Sequence, residues 1–201
     1  MIASIFHIFS PTTLKLTEES FTDNLPHYLQ NRSRRFFTPL SIAQMATDWL
    51  TEDGKKRILD IGAGVGKFCI AGAAYSDSYF CGIEHRPSLA KIANELILKF
   101  NIPNAVVQNG DITEIDFENF DAFYLYNPFF ENLMPDLRLN NEIELSSSLY
   151  LYYFNYTERQ LSKVRPGTRL VTYHGNNFEV PSSFKKIKEN ADGMLKLWIK
   201  Q

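Results

Sequence analysis

Three glycines at alternate positions, Gly62, Gly64 and Gly66, are the feature that most restricts what this chain can fold into. They directly follow Arg57–Ile61, a short apolar run typical of a strand buried on both faces. Glycine lets the backbone turn tightly and approach a ligand without interference from a Cβ atom. The pattern therefore predicts a strand, a glycine-rich turn that contacts a ligand, and then a helix.

Further apolar runs along the chain predict the rest of a sheet. They comprise residues 79–84, 105–109, 120–126 and 169–174. Apolar residues with helical spacing separate the runs at 79–84 and 105–109, and a second helix is predicted over Ser146–Val164. Alternating strands and helices favour an α/β fold with a parallel sheet. Two last runs, 184–188 and 195–199, predict a closing antiparallel hairpin.

The first 37 residues show no such periodicity, and we interpret them as an irregular segment that covers the site as a lid. A helix is predicted to follow, with Thr38 as its N-cap and Pro39 at its first helical position. The expected organisation is therefore an N-terminal segment, residues 1–37, and one ligand-binding domain, residues 38–201.

Composition restricts the functional classes. The 201 residues carry 21 Lys and Arg against 23 Asp and Glu, unlike a protein held to nucleic acid mainly through phosphates. Residues 1–9 are too short an apolar stretch to span a bilayer and lack the features of a secretory signal, so we expect a cytoplasmic protein without a membrane partner. Two cysteines and four widely spaced histidines favour no metal site.

Several kinds of glycine-rich loop compete for residues 60–66. A dinucleotide fingerprint, G-x-G-x-x-G, would put its third glycine on Lys67, which argues against a nicotinamide oxidoreductase. A phosphate-binding P-loop fails because Ile61 and Phe68 replace its first glycine and its hydroxyl residue. The pattern D-x-G-x-G-x-G instead resembles motif I of the class I S-adenosylmethionine-dependent methyltransferases. A plain strand-to-helix turn is the remaining alternative.

The resemblance implies both a fold and a cofactor. The fold is a doubly wound, mostly parallel seven-stranded sheet with a C-terminal antiparallel hairpin, and the cofactor is S-adenosyl-L-methionine. The residues of the loop that are then expected to contact the cofactor are Asp60, Gly62, Ala63, Gly64 and Gly66.

Two later strand ends carry residues that would complete such a site. Glu84 ends the second run, where a carboxylate can accept hydrogen bonds from both ribose hydroxyls, and the adjoining His85 would line the same pocket. Asp111 follows the third run and would accept from an adenine amino group, with Ile112 packing on the ring. The alternatives are a solvated strand end at Glu84, an exposed loop histidine at His85 and an Asx turn at Asp111.

The fourth run ends in Asn127-Pro128-Phe129-Phe130, which resembles the [N/D]-P-P-[F/Y/W] motif of methyltransferases acting on planar exocyclic nitrogens. By that resemblance the Asn127 side chain and the Pro128 carbonyl would hold the two N–H groups of the acceptor. Phe129 or Phe130 would stack on its plane, and Asn127 would also contact the cofactor. Phe129 stands where the motif has a second proline, and a simple turn after the strand is the alternative.

One further similarity concerns Arg35-Phe36-Phe37-Thr38-Pro39. It looks like the F-x-T-P-type segment that closes over the cofactor in some N6-adenine methyltransferases, and a plain helix cap after a packed Phe pair is the alternative. Those DNA enzymes carry a large target-recognition region, for which we expect no room in this chain.

Two functions are carried forward. The first is an S-adenosylmethionine-dependent methyltransferase directed at a nitrogen atom of a small molecule, a protein side chain or an RNA base. The second is a non-catalytic module of the same fold that binds the cofactor, a nucleotide or a partner. The sequence identifies neither the methyl acceptor nor the oligomeric state.

Overall fold

The computed structural model describes residues 16–174, 180–190 and 192–201. The strands within them are β1 (Arg57–Ile61), β2 (Tyr79–Glu84), β3 (Ala105–Asn109), β4 (Ala122–Tyr126), β5 (Arg169–Tyr173), β6 (Phe184–Glu189) and β7 (Leu195–Lys200). They form one sheet in the order β3-β2-β1-β4-β5-β7-β6. β1 to β5 are parallel, whereas β7 runs antiparallel to both β5 and β6. The predicted fold class and the closing hairpin are therefore confirmed.

The helices cover both faces of the sheet. They are α1 (Glu18–Asp23), α2 (His27–Gln30), α3 (Ser33–Phe36), α4 (Leu40–Leu50), α5 (Lys67–Tyr75), α6 (Pro87–Lys99) and α7 (Ser147–Leu161). One core cluster joins α4, α5 and α6 to one face of the sheet, and a second joins the end of α7 and two 3₁₀ turns after β3 to the other. Within β1, Ile58 belongs to the first cluster and Leu59 to the second, as expected of a strand buried on both sides. None of these helices is long and apolar enough to cross a membrane.

The N-terminal segment differs from its prediction. Its described part contains three short helices rather than an irregular chain, and Phe21 of α1, Leu29 of α2 and Leu25 between them are buried in the first core cluster. Helices of four to six residues are too short to show a helical periodicity in the sequence, so the sequence pattern could not predict them. Residues 1–15 lie outside the described part of the chain.

The start of α4 also differs by one residue from the prediction. Pro39, not Thr38, is the N-cap, and its side chain cannot cap the helix. The Glu18 carboxylate supplies the cap instead, since it accepts a hydrogen bond from the Leu40 N–H at 2.6 Å. Thr38 is buried, and its hydroxyl shares a 2.9 Å hydrogen bond with the Tyr124 hydroxyl.

Candidate functional site

A cavity of about 320 Å³ opens at the carboxyl ends of the parallel strands. β1 lies between β2 and β4, so the strand order reverses there, and such a switch point is where α/β sheets bind ligands. The residues predicted for the site that line this cavity are Asp60, Gly62, Ala63, Gly64, Glu84, His85, Asp111, Ile112, Asn127, Pro128, Phe129 and Phe130. Gly66 alone of the predicted residues does not line it. The structure thus gathers four separate stretches of sequence around one space.

The glycine loop has a conformation that side chains would disturb. Gly62 has φ +78°, and a Cβ atom there would lie 2.8 Å from Pro128 Cβ. Glycine at this position therefore lets the loop after β1 pack directly against the loop after β4. Gly66 has φ +71° and packs against Ala93 and Val107, so it shapes the start of α5 rather than the cavity.

Glu84 connects the glycine loop to the end of β2. Its Oε2 accepts a hydrogen bond from the Gly64 N–H at 2.9 Å, and its Oε1 accepts one from the Arg86 N–H at 2.8 Å. The residue is only 5% exposed, and this burial raises the pKa of its carboxyl, against the opposing effect of Arg86. Each carboxylate oxygen can accept further hydrogen bonds from a ligand in the cavity.

Asp60 is the second buried carboxyl in the cavity wall. Burial raises its pKa from 3.8 to about 7, although the Cys69 thiol, with Sγ 3.6 Å from Oδ2, opposes the shift. The negative charge of Glu84 raises the pKa further. A cationic group of a ligand beside Asp60 would favour its ionised form.

Asp111 forms the Asx turn that was the alternative interpretation, and it also lines the cavity. Its Oδ1 accepts hydrogen bonds from the backbone and the hydroxyl of Thr113, both at 2.8 Å. Its Oδ2 accepts one from the Tyr153 hydroxyl at 2.9 Å. Burial raises the pKa of Tyr153 to about 12, so this hydroxyl keeps its proton at neutral pH. The turn and the site interpretations are therefore compatible.

The loop after β4 presents polar acceptors to the same space. Asn127 has φ +42°, and no hydrogen bond within the described residues engages its side-chain amide or the Pro128 carbonyl. The Phe129 ring stacks on Tyr153 with the ring centroids 5.5 Å apart. Phe130 is 46% exposed at the mouth of the cavity.

Several cavity residues were not predicted from the sequence. Tyr153 comes from the aromatic stretch at residues 150–156, for which the sequence alone could not decide between the core and the site. His174 lies directly after β5 with φ +57°, and its ring centroid is 5.7 Å from that of Tyr126. A position just after a parallel strand was the one signal that could have indicated it.

The segment before α4 also reaches the cavity. Phe36, Phe37 and Thr38 line it, and Phe37 is the neighbour that a Cβ atom on Gly64 would meet at 3.4 Å. This is the segment for which the F-x-T-P-type similarity predicts a position over the cofactor. Among the described residues, no group of three or more His, Cys, Asp or Glu side chains could hold a metal ion.

Comparison with known proteins gives the family and the fold. The model of the protein-L-isoaspartate(D-aspartate) O-methyltransferase (PCMT) family matches residues 13–122, which is more than half of the chain. No curated protein matches the sequence.

Solved methyltransferase structures share the fold. The O-methyltransferase from Bacillus cereus, in complex with S-adenosylhomocysteine, is 15% identical with a TM-score of 0.60, over 94% of this chain and 93% of that one. An RNA methyltransferase from Salinibacter ruber, in complex with S-adenosyl-L-homocysteine, is 18% identical with a TM-score of 0.53, over 81% and 91%. The mitomycin 7-O-methyltransferase MmcR is 15% identical with a TM-score of 0.58, over 92% and 61%.

Proposed function

The chain belongs to the protein-L-isoaspartate(D-aspartate) O-methyltransferase family, and from that premise we propose that it transfers a methyl group from S-adenosylmethionine. From the residues after β4 we further propose that the acceptor is a nitrogen atom rather than an oxygen. The family match ends at residue 122, before the loop that begins at Asn127. Family membership therefore supports methyl transfer and leaves the acceptor atom to the residues of that loop.

The residues around the cavity fit the cofactor. S-adenosylmethionine, when bound, supplies an electrophilic methyl group on a sulfonium and carries a ribose and an adenine. Glu84 would accept hydrogen bonds from the ribose hydroxyls. Asp60 lines the same cavity and would attract a cationic group of the cofactor. Gly62 and Gly64 present backbone to the cavity, and the absence of a Cβ atom lets Pro128 and Phe37 lie close against them. Asp111 and Ile112 would hold the adenine.

The acceptor end of the site carries the proposal of a nitrogen substrate. A conjugated nitrogen is a poor nucleophile, because its lone pair is delocalised. Asn127 and Pro128 offer two oxygens that have no other partner within the described residues, and these could hold both N–H groups of such an acceptor. That arrangement would direct the lone pair towards the methyl carbon, and most of the rate enhancement would come from this orientation in a partly enclosed space.

The test uses radiolabelled S-adenosylmethionine with three separate fractions of a cell extract: small molecules, protein and RNA. We expect label in one fraction, in a form that survives mild alkali, since N-methyl groups persist where carboxyl methyl esters hydrolyse. Alkali-labile label would contradict a nitrogen acceptor. Binding of S-adenosylhomocysteine without label in any fraction would favour the non-catalytic module.

The role of Asn127 is tested with Asn127→Ala. We expect its affinity for S-adenosylhomocysteine, measured by calorimetry, to stay within about threefold of the wild type, while turnover falls by about two orders of magnitude, as when a transition-state hydrogen bond is removed. Asn155→Ala, at an exposed position of α7, is the matched control and should behave as the wild type. Loss of cofactor affinity in Asn127→Ala would contradict the assigned role.

A further inference from the structure

Arg86 is a buried cation in the wall of the cavity. It lies directly before α6, only 6% of its surface is exposed, and it lines the same space as Glu84. A buried arginine is costly unless its charge and its N–H groups are matched. The partners of Arg86 therefore indicate what the residue does.

The guanidinium joins three parts of the chain. It forms an ion pair with Glu131, its Nε donates to Asn140 Oδ1 at 3.0 Å, and its Nη1 lies 3.9 Å from Glu84 Oε1. Glu131 and Asn140 belong to residues 129–142, which we call the cover loop because Phe130, Leu137 and Leu139 within it line the cavity. Arg86 thus lies between Glu84, which is predicted to bind the ribose, and the cover loop, which lines the acceptor end of the cavity.

Two further hydrogen bonds hold the cover loop near Arg86. The second oxygen of Glu131 accepts a hydrogen bond from the Leu139 N–H at 3.0 Å, which folds the loop back on itself. Glu142 accepts one from the Ser88 N–H at 3.1 Å, in the first turn of α6. The ion pair of Arg86 and Glu131 is the buried contact of this set, with side-chain exposures of 8% and 16%.

We propose that Arg86 is a positioning residue that holds the Glu84 carboxylate towards the cavity and fastens the cover loop to the end of β2. The proposal rests on the proposed function for its effect on the cofactor, but the two contacts of Arg86 can be tested without any ligand. Its contact with Glu84 is expected to affect cofactor binding, and its contacts with Glu131 and Asn140 are expected to affect the shape of the acceptor end of the cavity.

Arg86 and Glu131 have opposite effects on the pKa of Glu84, so their removal can be distinguished by titration. The charged groups that face Glu84 are Arg86, Glu131 from the cover loop and Asp60 from β1. Burial raises the pKa of Glu84, Arg86 lowers it and Glu131 raises it. Removal of Arg86 leaves a carboxyl that is protonated at higher pH, whereas removal of the Glu131 charge does the opposite.

The experiment compares Arg86→Met, Arg86→Lys and Glu131→Gln with the wild type. Arg165→Met, which removes an arginine–carboxylate pair at the exposed surface, is the matched control. Two measurements need no ligand: the titration of Glu84 by ¹³C carboxyl NMR, and hydrogen exchange of the amides in the cover loop. The third is the affinity for S-adenosylhomocysteine between pH 6 and pH 9.

We expect Arg86→Met to raise the pKa of Glu84, to speed exchange in the cover loop by about tenfold or more, and to weaken affinity at pH 7 by about tenfold, with recovery at higher pH. Glu131→Gln should speed exchange without a loss of affinity at low pH. Arg86→Lys should restore the titration of Glu84 but not the slow exchange, because it lacks the Nε contact with Asn140. This variant and Glu131→Gln decide the matter if Arg86→Met does not fold.

Two results would overturn the proposal: an unchanged titration of Glu84 together with unchanged exchange, or exchange that rises equally in Arg165→Met. If the wild type itself binds no S-adenosylhomocysteine, the proposed function fails, while the NMR and exchange measurements still decide the role of Arg86.

Discussion

Replacement of Asp60 by Asn should stabilise the protein at neutral pH, because burial of an acid in the cavity wall costs stability. In the folded protein the pKa of Asp60 is raised from 3.8 to about 7. Between these values the native state keeps a proton that the unfolded chain has released, so the free energy of unfolding falls by about 1.4 kcal/mol per pH unit as pH rises. The stability that protonated Asp60 contributes is thus complete below pH 4 and is lost as pH rises through about 7.

The size of the effect follows from that interval and from what replaces the acid. Over about three pH units the loss amounts to at most about 4 kcal/mol. An Asn amide buried without full hydrogen bonding costs about 1–3 kcal/mol, so the net gain of Asp60→Asn at pH 7 should be about 1–3 kcal/mol. The cost of ionising Asp60 is therefore larger than the cost of burying the Asn amide. Residues that line a ligand site often lower the stability of the folded protein in this way.

Urea denaturation of the wild type and Asp60→Asn at pH 5, 6, 7 and 8 measures this difference. The two curves of unfolding free energy against pH should diverge as pH rises from 5 to 7 and become parallel above 7. Asp77→Asn, an exposed control, should follow the wild type at every pH. Curves that are parallel from pH 5 to pH 8 would refute the reasoning, since they would mean that Asp60 titrates alike in the folded and unfolded states.

Two further substitutions test the cavity itself. Glu84→Ala should weaken calorimetric affinity for S-adenosylhomocysteine by about tenfold to a hundredfold, because the ribose loses hydrogen bonds to a charged acceptor, and an unchanged dissociation constant would remove Glu84 from the site. Gly62→Ala should cost about 2–4 kcal/mol in thermal or urea unfolding, since φ +78° disfavours a side chain and the new Cβ would lie 2.8 Å from Pro128. Gly193→Ala, with φ +70° but open space around it, separates strain from contact, and equal losses in the two variants would contradict the close approach of the two loops.

The strands could be predicted because burial on both faces gives an unbroken apolar run. The runs predicted for β1, β2 and β3 have the observed bounds, and that for β4 begins two residues early, at Phe120. Phe120 is buried by the second core cluster and yet precedes the strand, so hydrophobicity alone could not distinguish a packed turn from a strand.

The site was predictable where a residue directly follows a strand and unpredictable where it arrives from elsewhere. Glu84, Asp111 and Asn127 owe their positions to the parallel strands, which end at one edge of the sheet. Tyr153 and Glu131 instead reach the site through side-chain contacts with Asp111 and Arg86, across 42 and 45 residues of sequence. No spacing rule relates such pairs, because the intervening loops set their geometry.

The replacement of the second proline by Phe129 has a physical explanation in these contacts. The Phe129 ring stacks on Tyr153, whose hydroxyl donates to Asp111 and whose ring lies edge-on to His85 at 6.2 Å. A proline at this position would have no aromatic ring to stack on Tyr153. The contact that joins the loop after β4 to Asp111, the residue predicted to bind the adenine, would then be lost. Asn127 and Pro128, which would hold the acceptor, are unchanged by the replacement. The altered motif therefore follows from packing against α7, and it gives no independent reason to prefer a non-catalytic module.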